Sequence, residues 1–282
     1  MSTEYIHFNT EQREAARQTD LVALLQSQGE QLKRSGKEYV WRDGSEKVTV
    51  RGNLWFHQYE RIGGDAVDFV RRFYNMDFPQ AVNFLLGNNG GALPQAEPVK
   101  REPPKPFTLP PKNDNMRRVY AYLLNRRGID REVLSTFVHK GMIYESANYH
   151  NAVFVGYDEH SIARHAHKRG TGSESTYKGN AESCDPRYSF HWTGTDNILY
   201  LFEAPIDMLS FISLHKENWR SHSYAAACCV GDQVLFQMLK ANSNIDTVYL
   251  CMDNDVAGQA ANKRISDKLF SKTNSAEFAT TK

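Results

Sequence analysis

The apolar positions set a helical rhythm first. In "TEQREAARQTDLVALLQSQG", Leu21, Leu24 and Leu25 share one face, which predicts a helix over residues 10–29. The rhythm then shortens. "EYVWRDGSEKVTVRGNLWFHQ" alternates over short stretches around Asp43-Gly44 and Gly52-Asn53, the turn pairs of small antiparallel strands. "GGDAVDFVRRFYN" returns to helix, opened by two glycines, with Val67, Val70 and Phe73, or Phe69 and Phe73, facing inward. In "DFPQAVNFLLG", Asp77 caps a helix, Pro79 suits its first turn, Gln80 completes a capping box and Gly87 ends it. Residues 88–114 break every rhythm. They hold seven of the ten prolines and few large apolar residues, which predicts a partly extended linker.

Beyond it, "MRRVYAYLLNRRGIDREVLSTFVHKG" predicts two short helices broken at Gly128. "NAVFVGYDEHSIARHAHKRG" reads as a hairpin, with Val153 and Val155 on one strand, Ile162 and Arg164 on the next, and a turn at residues 158–160. Three strand-then-helix units follow: "NILYLFEAPIDMLSFISLH", "HSYAAACCVGDQVLFQMLK" and "DTVYLCMDNDVAGQAANKRISDKLF". Such alternation predicts a mainly parallel sheet flanked by helices. No longer internal repeat is present.

Composition narrows the class. The 282 residues are 40% hydrophobic and 24% charged, in the range of globular proteins. A net charge of +1 leaves no global basic field, so any nucleic-acid contact has to come from local patches. No apolar run reaches the roughly 18 residues of a membrane span, and the polar, acid-containing N-terminus does not read as a secretory signal. Cys184, Cys228, Cys229 and Cys251 form no C-x-x-C pair, so neither a disulfide framework nor a cysteine zinc site is indicated. A cytoplasmic location without membrane partners is the expectation.

The chemistry lies where strands stop. In open parallel sheets, sites form at the carboxyl edge. The first predicted strand ends at Glu203, with Asp207 one turn into the next helix, and the third ends at Asp253 and Asp255. A single D-x-D is also what a capped strand-to-helix turn looks like, and Asp207 could simply complement a helix dipole. Acids from two strand ends on one edge would repel each other unless a cation sat among them. Oxygen-only ligands favour hard ions: Mg²⁺, with Mn²⁺ as the substitute.

"LFEAPIDMLSF" and "CMDNDVAGQAA" resemble the two principal motifs of the Toprim domain of bacterial primases, topoisomerases and some nucleases. The resemblance implies that Glu203, Asp253 and Asp255 are metal ligands and that Glu203 and Asp207 take part in catalysis. Gly231 falls where the family has a glycine between its motifs. "YLLNRRGIDREVLSTFVHKGMI" and the hairpin are similar to the start of the bacterial primase core. "STYKGNAESCDPRYSFHW" sits where primases carry a basic nucleic-acid-binding segment. The primase-like proteins of mobile elements are the nearest likeness.

Between hairpin and acids, Arg164, Lys168, Arg169, Lys178 and Arg187 interleave with Tyr177, Tyr188 and Trp192. Cations beside rings are a single-strand-binding composition; a solvated hairpin surface has the same look. For His160, His165 and His167 a charged or partly stacked surface role is expected rather than a metal. The N-terminal module is similar to the primase zinc-binding domain. Aligned on Gly63-Gly64-Asp65, however, its four ligand positions fall on Val40, Asp43, His57 and Glu60, without a thiolate, so zinc is not expected. Packing by Trp41, Trp55, Phe56 and Tyr59 would replace the metal, and Lys33, Arg34, Lys37, Arg51 and Arg61 would be its phosphate contacts.

The expected class is α/β. A zinc-ribbon-like α+β module lacking zinc ligands (1–87) and the linker (88–114) precede a small α+β primase-core segment (115–193) and a Toprim-like domain (194–282). The family's last strand and its acid are missing after "SKTNSAEFATTK", so the domain reads as C-terminally incomplete, and no G-x-x-x-x-G-K-[ST] loop is present. The implied function is that of a primase-like nucleotidyltransferase acting with Mg²⁺ on single-stranded DNA or an RNA/DNA hybrid with nucleoside triphosphates. Replication, relaxase or helicase proteins would be its partners. A Toprim nuclease, or a non-catalytic single-strand-binding relative, are the alternatives.

Overall fold

The computed structural model describes residues 8–43, 46–58, 60, 62–87, 94–97, 105–228 and 231–279; Gly44, Tyr59, Arg61, Cys229 and much of the proline-rich stretch lie outside these. The chain divides into two compact units, Met1–Pro103 and Pro104–Lys282.

The first unit opens with α1 (Thr10–Arg17) and α2 (Leu21–Ser27), two helices where one was expected. Asp20 is the reason: its carboxylate accepts the Ala23 amide at the start of α2, and its own N–H goes to Pro94. A residue that caps a helix is a poor interior residue, so the apolar rhythm continues while the backbone does not. Strands β1 (Lys33–Ser35), β2 (Glu38–Asp43), β3 (Glu46–Arg51), β4 (Leu54–His57) and β5 (Ile62–Gly64) follow as an antiparallel sheet in sequence order. Gly63 and Gly64 end this sheet rather than open the next helix. A Cβ on Gly63 would stand 2.4 Å from the Trp55 carbonyl, and one on Gly64 2.5 Å from Asp68. Asp65 then caps α3 (Ala66–Phe73), and Asp77 with Gln80 forms the expected capping box of α4 (Phe78–Leu85). Trp41, Trp55, Phe69 and Phe73 meet in tilted and edge-on contacts inside the core of this unit. Phe56 is not among them. Strand alternation turns it outward, 37% exposed.

The second unit starts with a coil, residues 105–113, that packs on a sheet and is not a spacer. Phe107 and Leu109 join a small apolar cluster, Pro110 accepts the Tyr144 hydroxyl at 2.6 Å, and Pro111 accepts the Ala147 amide. Next come α5 (Arg117–Tyr120), a π-helical turn (Ala121–Arg126) and α6 (Arg131–His139), with Gly128 at φ +67° between the last two. Strands β6 (Ile143–Glu145), β7 (Ala152–Tyr157), β8 (Ala163–Arg169) and β9 (Lys178–Asn180) make an antiparallel sheet in sequence order. Both of its faces are covered, which places His165 and His167 in the interior at 0% and 2% exposure, not on the surface; His160 alone stays exposed. His167 bonds Asn180 at 2.7 Å, and burial first, then nearby cations, hold its imidazole below the ordinary value.

The final sheet contains β10 (His191–Trp192), β11 (Ile198–Phe202), β12 (Ser223–Ala226) and β13 (Thr247–Cys251) in the order β10-β12-β11-β13. β11 runs parallel to β12 and β13, and β10 is antiparallel. Helices α7 (Pro205–Leu214), α8 (Gln233–Ala241) and α9 (Val256–Ala279) follow the three parallel strands in turn. One apolar core joins α5, α6 and one face of β6–β7 to α7, with Phe137, Phe154, Phe190 and Met208 at its centre.

Candidate functional site

Register fixes the position of the acids. Phe202 lies opposite Cys251 in the parallel β11–β13 pair, so Glu203 leaves β11 level with the exit of β13 toward Asp253 and Asp255. β11 is largely buried and apolar up to that edge, β13 is half-buried with Tyr249 exposed, and the carboxylates begin where the two strands stop. Burial raises the Glu203 carboxyl, and Asp253, Asp255 and Asp207 raise it further against Lys178. Asp207, at the start of α7, is raised in the same order, by desolvation and then by Asp253, against the pull of Arg127 and Lys178. The four acids therefore share one electrostatic neighbourhood.

Their roles differ. Asp255 does what a structural reading of D-x-D expects: its Oδ1 accepts the Gly258 amide at 2.7 Å, capping α9. A Cβ on Gly258 would stand 1.9 Å from the Asp253 carbonyl, so glycine alone lets α9 start this close to the strand end. Asp253 is exposed. Among the described residues, no group of three or more His, Cys, Asp or Glu is drawn into a closed ligand set.

The predicted basic residues split into separate groups. Arg169 and Lys178 face each other across β8 and β9 and so share a face. Arg169 donates to the Tyr122 hydroxyl at 3.3 Å, and the Lys178 charge acts on both Glu203 and Asp207. Lys168, one residue away, points to the other face, 5.8 Å from the Tyr177 ring centre. Arg164 is paired with Asp158 at 2.6 Å in the hairpin turn, and Arg187 with Asp185 at 2.6 Å. Those two guanidiniums are held by carboxylates within their own loops.

One residue of this neighbourhood was not legible in the sequence. Arg127 donates to the Tyr122 hydroxyl at 3.0 Å, and with Arg126 it lies over the Tyr122 ring. Burial alone would raise the Tyr122 phenol; the hydrogen bonds and charges of Arg127 and Arg169 together outweigh it and lower it. The π-helical turn, closed by the Arg127 amide on the Tyr122 carbonyl, is what brings the pair round to this side. The only signal was the Arg-Arg-Gly run at a helix end.

In the first unit, Glu60 directs its carboxylate to Arg72 at 2.9 Å, while its amide donates to Nδ1 of buried His57 at 3.1 Å. Val40 lies within β2. Lys33, Arg34, Lys37 and Arg51 are exposed on and beside β1–β3.

Residues 200–282 match the family model described as Toprim-like, and residues 121–196 match one described as a protein of unknown function, DUF3991. An uncharacterised Bacillus anthracis protein is 24% identical over 274 residues, spanning 92% of this chain and 79% of the relative. Among solved structures, the zinc-binding and RNA polymerase domains of Aquifex aeolicus primase are similar at TM-score 0.34 and 15% identity, over 91% of this chain and 75% of that one. The primase fragment of the bacteriophage T7 primase-helicase is similar at TM-score 0.39 and 19% identity, over 57% and 67%. Scores of this size add no argument about activity. The C-terminal part of the chain is a Toprim-like domain.

Proposed function

We propose that this chain is a primase-like protein that binds DNA and carries out Mg²⁺-dependent nucleotidyl or phosphoryl transfer, in the replication or transfer of a mobile element. One observation carries the reading: carboxylates from two parallel strand ends share an edge with Lys178, which forms no ion pair among the described residues and feels Glu203 and Asp207 at once. Repelling carboxylates gain from a cation among them, and an all-oxygen donor set suits a hard one. Glu203, Asp253 and the other carboxylate oxygen of Asp255 would hold it, with Mn²⁺ as the substitute. When bound, it supplies neutralisation of phosphate charge and orientation of phosphate oxygens.

The chain's own residues do the rest. Lys178 and Arg127 hold phosphate oxygens beside the acids, and Arg169 with Tyr122 keeps Arg127 in place. Single-stranded DNA, or an RNA/DNA hybrid, and nucleoside triphosphates are the proposed ligands.

Primer synthesis on single-stranded DNA with Mg²⁺ and nucleotides is the test. Wild type should make product, and Asp253→Ala combined with Asp255→Ala should make none; equal product from both would end the metal-site reading. Labelled DNA shortened in the absence of nucleotides would instead indicate a nuclease. A second reading draws on the engaged Oδ1 of Asp255 and the open arrangement of the acids: a single-strand binder without catalysis. That protein would bind DNA equally well with and without Mg²⁺ and make no product.

A further inference from the structure

The β6–β9 sheet has a second built site on the face turned away from the acids. Arg169, Lys178 and Phe154 lie on the acid-side face, whereas Tyr144, Val153 and Lys168 form a cross-strand row on the other. Beside that row is a cavity of about 730 Å³ in the second unit. Its size falls within the few hundred to about a thousand Å³ of small-molecule sites.

The walls are fixed. The loop after β6 and the loop after β8 are tied together by the Thr171 hydroxyl on the His150 carbonyl at 2.8 Å. Arg126 donates to the Gly172 carbonyl at 3.1 Å, and a Cβ on Gly170 would stand 1.9 Å from the Ser175 hydroxyl, so the turn packs closely at this glycine. Below the cavity, buried Glu145 accepts from His150, Asn113 and the Arg118 and Val119 amides, which anchors the first loop to the start of α5.

The lining combines two kinds of group. Tyr149, 88% exposed and in a left-handed pair with His150 at φ 63° and 52°, lines the cavity together with Tyr177, 47% exposed. Arg118 and Lys168 line the same cavity, and neither is paired with a carboxylate among the described residues. Strained non-glycine residues persist where the surroundings enforce them, commonly at ligand sites. Exposed rings stack on flat heterocycles, and unpaired cations take phosphate.

We infer that this cavity is a second, metal-independent binding site for a nucleotide unit, its base against Tyr149 and Tyr177 and its phosphate on Arg118 and Lys168. The unit is either a free nucleoside triphosphate or one nucleotide of a single strand. The site stands apart from the acid edge and does not depend on it.

The test is equilibrium binding of ATP and of a short oligo(dT) to the full chain in EDTA. ATP binding that falls when Arg118 and Lys168 are removed identifies a free nucleotide in this cavity, and oligo(dT) binding alone that falls with them identifies a strand nucleotide. Arg118→Ala with Lys168→Ala should weaken the bound probe about tenfold or more. Tyr149→Ala, at a position too exposed to disturb the fold, should weaken it about fivefold or more. Lys240→Ala, which removes one exposed charge elsewhere, should leave it unchanged. The inference is overturned if wild type binds neither probe or if the Arg118/Lys168 and Tyr149 variants bind as wild type does.

Discussion

At the level of single residues, position relative to the sheet edge decides chemistry. Glu203, Asp253 and Asp255 were legible because an apolar run that stops in acid is visible in one dimension. Gly258 became intelligible only through the 1.9 Å approach its Cβ would make to the Asp253 carbonyl. Gly258→Ala should therefore cost about 1–3 kcal/mol, read as a fall in Tm, because the crowding atom is backbone and cannot turn aside. Loss of less than a degree would mean that α9 shifts freely. Arg127 shows the converse. Nothing in Arg-Arg-Gly says which way a guanidinium points, and only the π turn brings it to Tyr122 and within reach of Asp207. Tyr122→Phe should leave Arg127 and Arg169 unanchored and weaken DNA binding several-fold while Tm changes little, as the removed hydroxyl is worth about 1 kcal/mol.

Among elements, caps proved stronger than apolar rhythm. Asp20 splits a continuous apolar pattern into two helices, and Asp65 makes Gly63-Gly64 the end of a strand. Asp130 is the cap with the clearest pH signature. It accepts the Glu132 and Val133 amides at the start of α6 and the Lys216 ammonium at 2.8 Å, and that last bond, first among the causes, lowers its carboxyl. With the folded value below the unfolded one, its stabilisation is present above the ordinary carboxylate range and is lost as pH falls through the folded value. Asp130→Asn keeps the cap acceptor and removes the charge. Its Tm deficit at pH 7 should shrink below about pH 4, and a deficit constant down to pH 3 would show that the Lys216 pairing contributes nothing.

At the level of the whole molecule, a shared core and a local field take over. The core around Phe137 joins the hairpin sheet to the parallel sheet, so residues 115–279 should melt as one cooperative unit. Phe137→Ala should cost about 3–5 kcal/mol and move the probes of both sheets together; separate transitions would contradict a common core. With a net charge of only +1, the proposed DNA affinity has to come from clustered cations. On single strands each phosphate contact adds about 0.7 to the log–log salt slope. Lys178→Ala should lower the slope by about that amount, and an unchanged slope would remove Lys178 from the interface. The sequence by itself determined many of the helices and strands, the strand-helix alternation and the acids at two strand ends, because hydrophobic period and turn chemistry are local. Only tertiary structure decided that His165 and His167 are buried and that residues 105–113 cover a sheet. It also decided that Lys168 and Arg169, neighbours in the chain, serve opposite faces. Which side a strand residue faces is set by what packs there, and those partners lie tens of residues away.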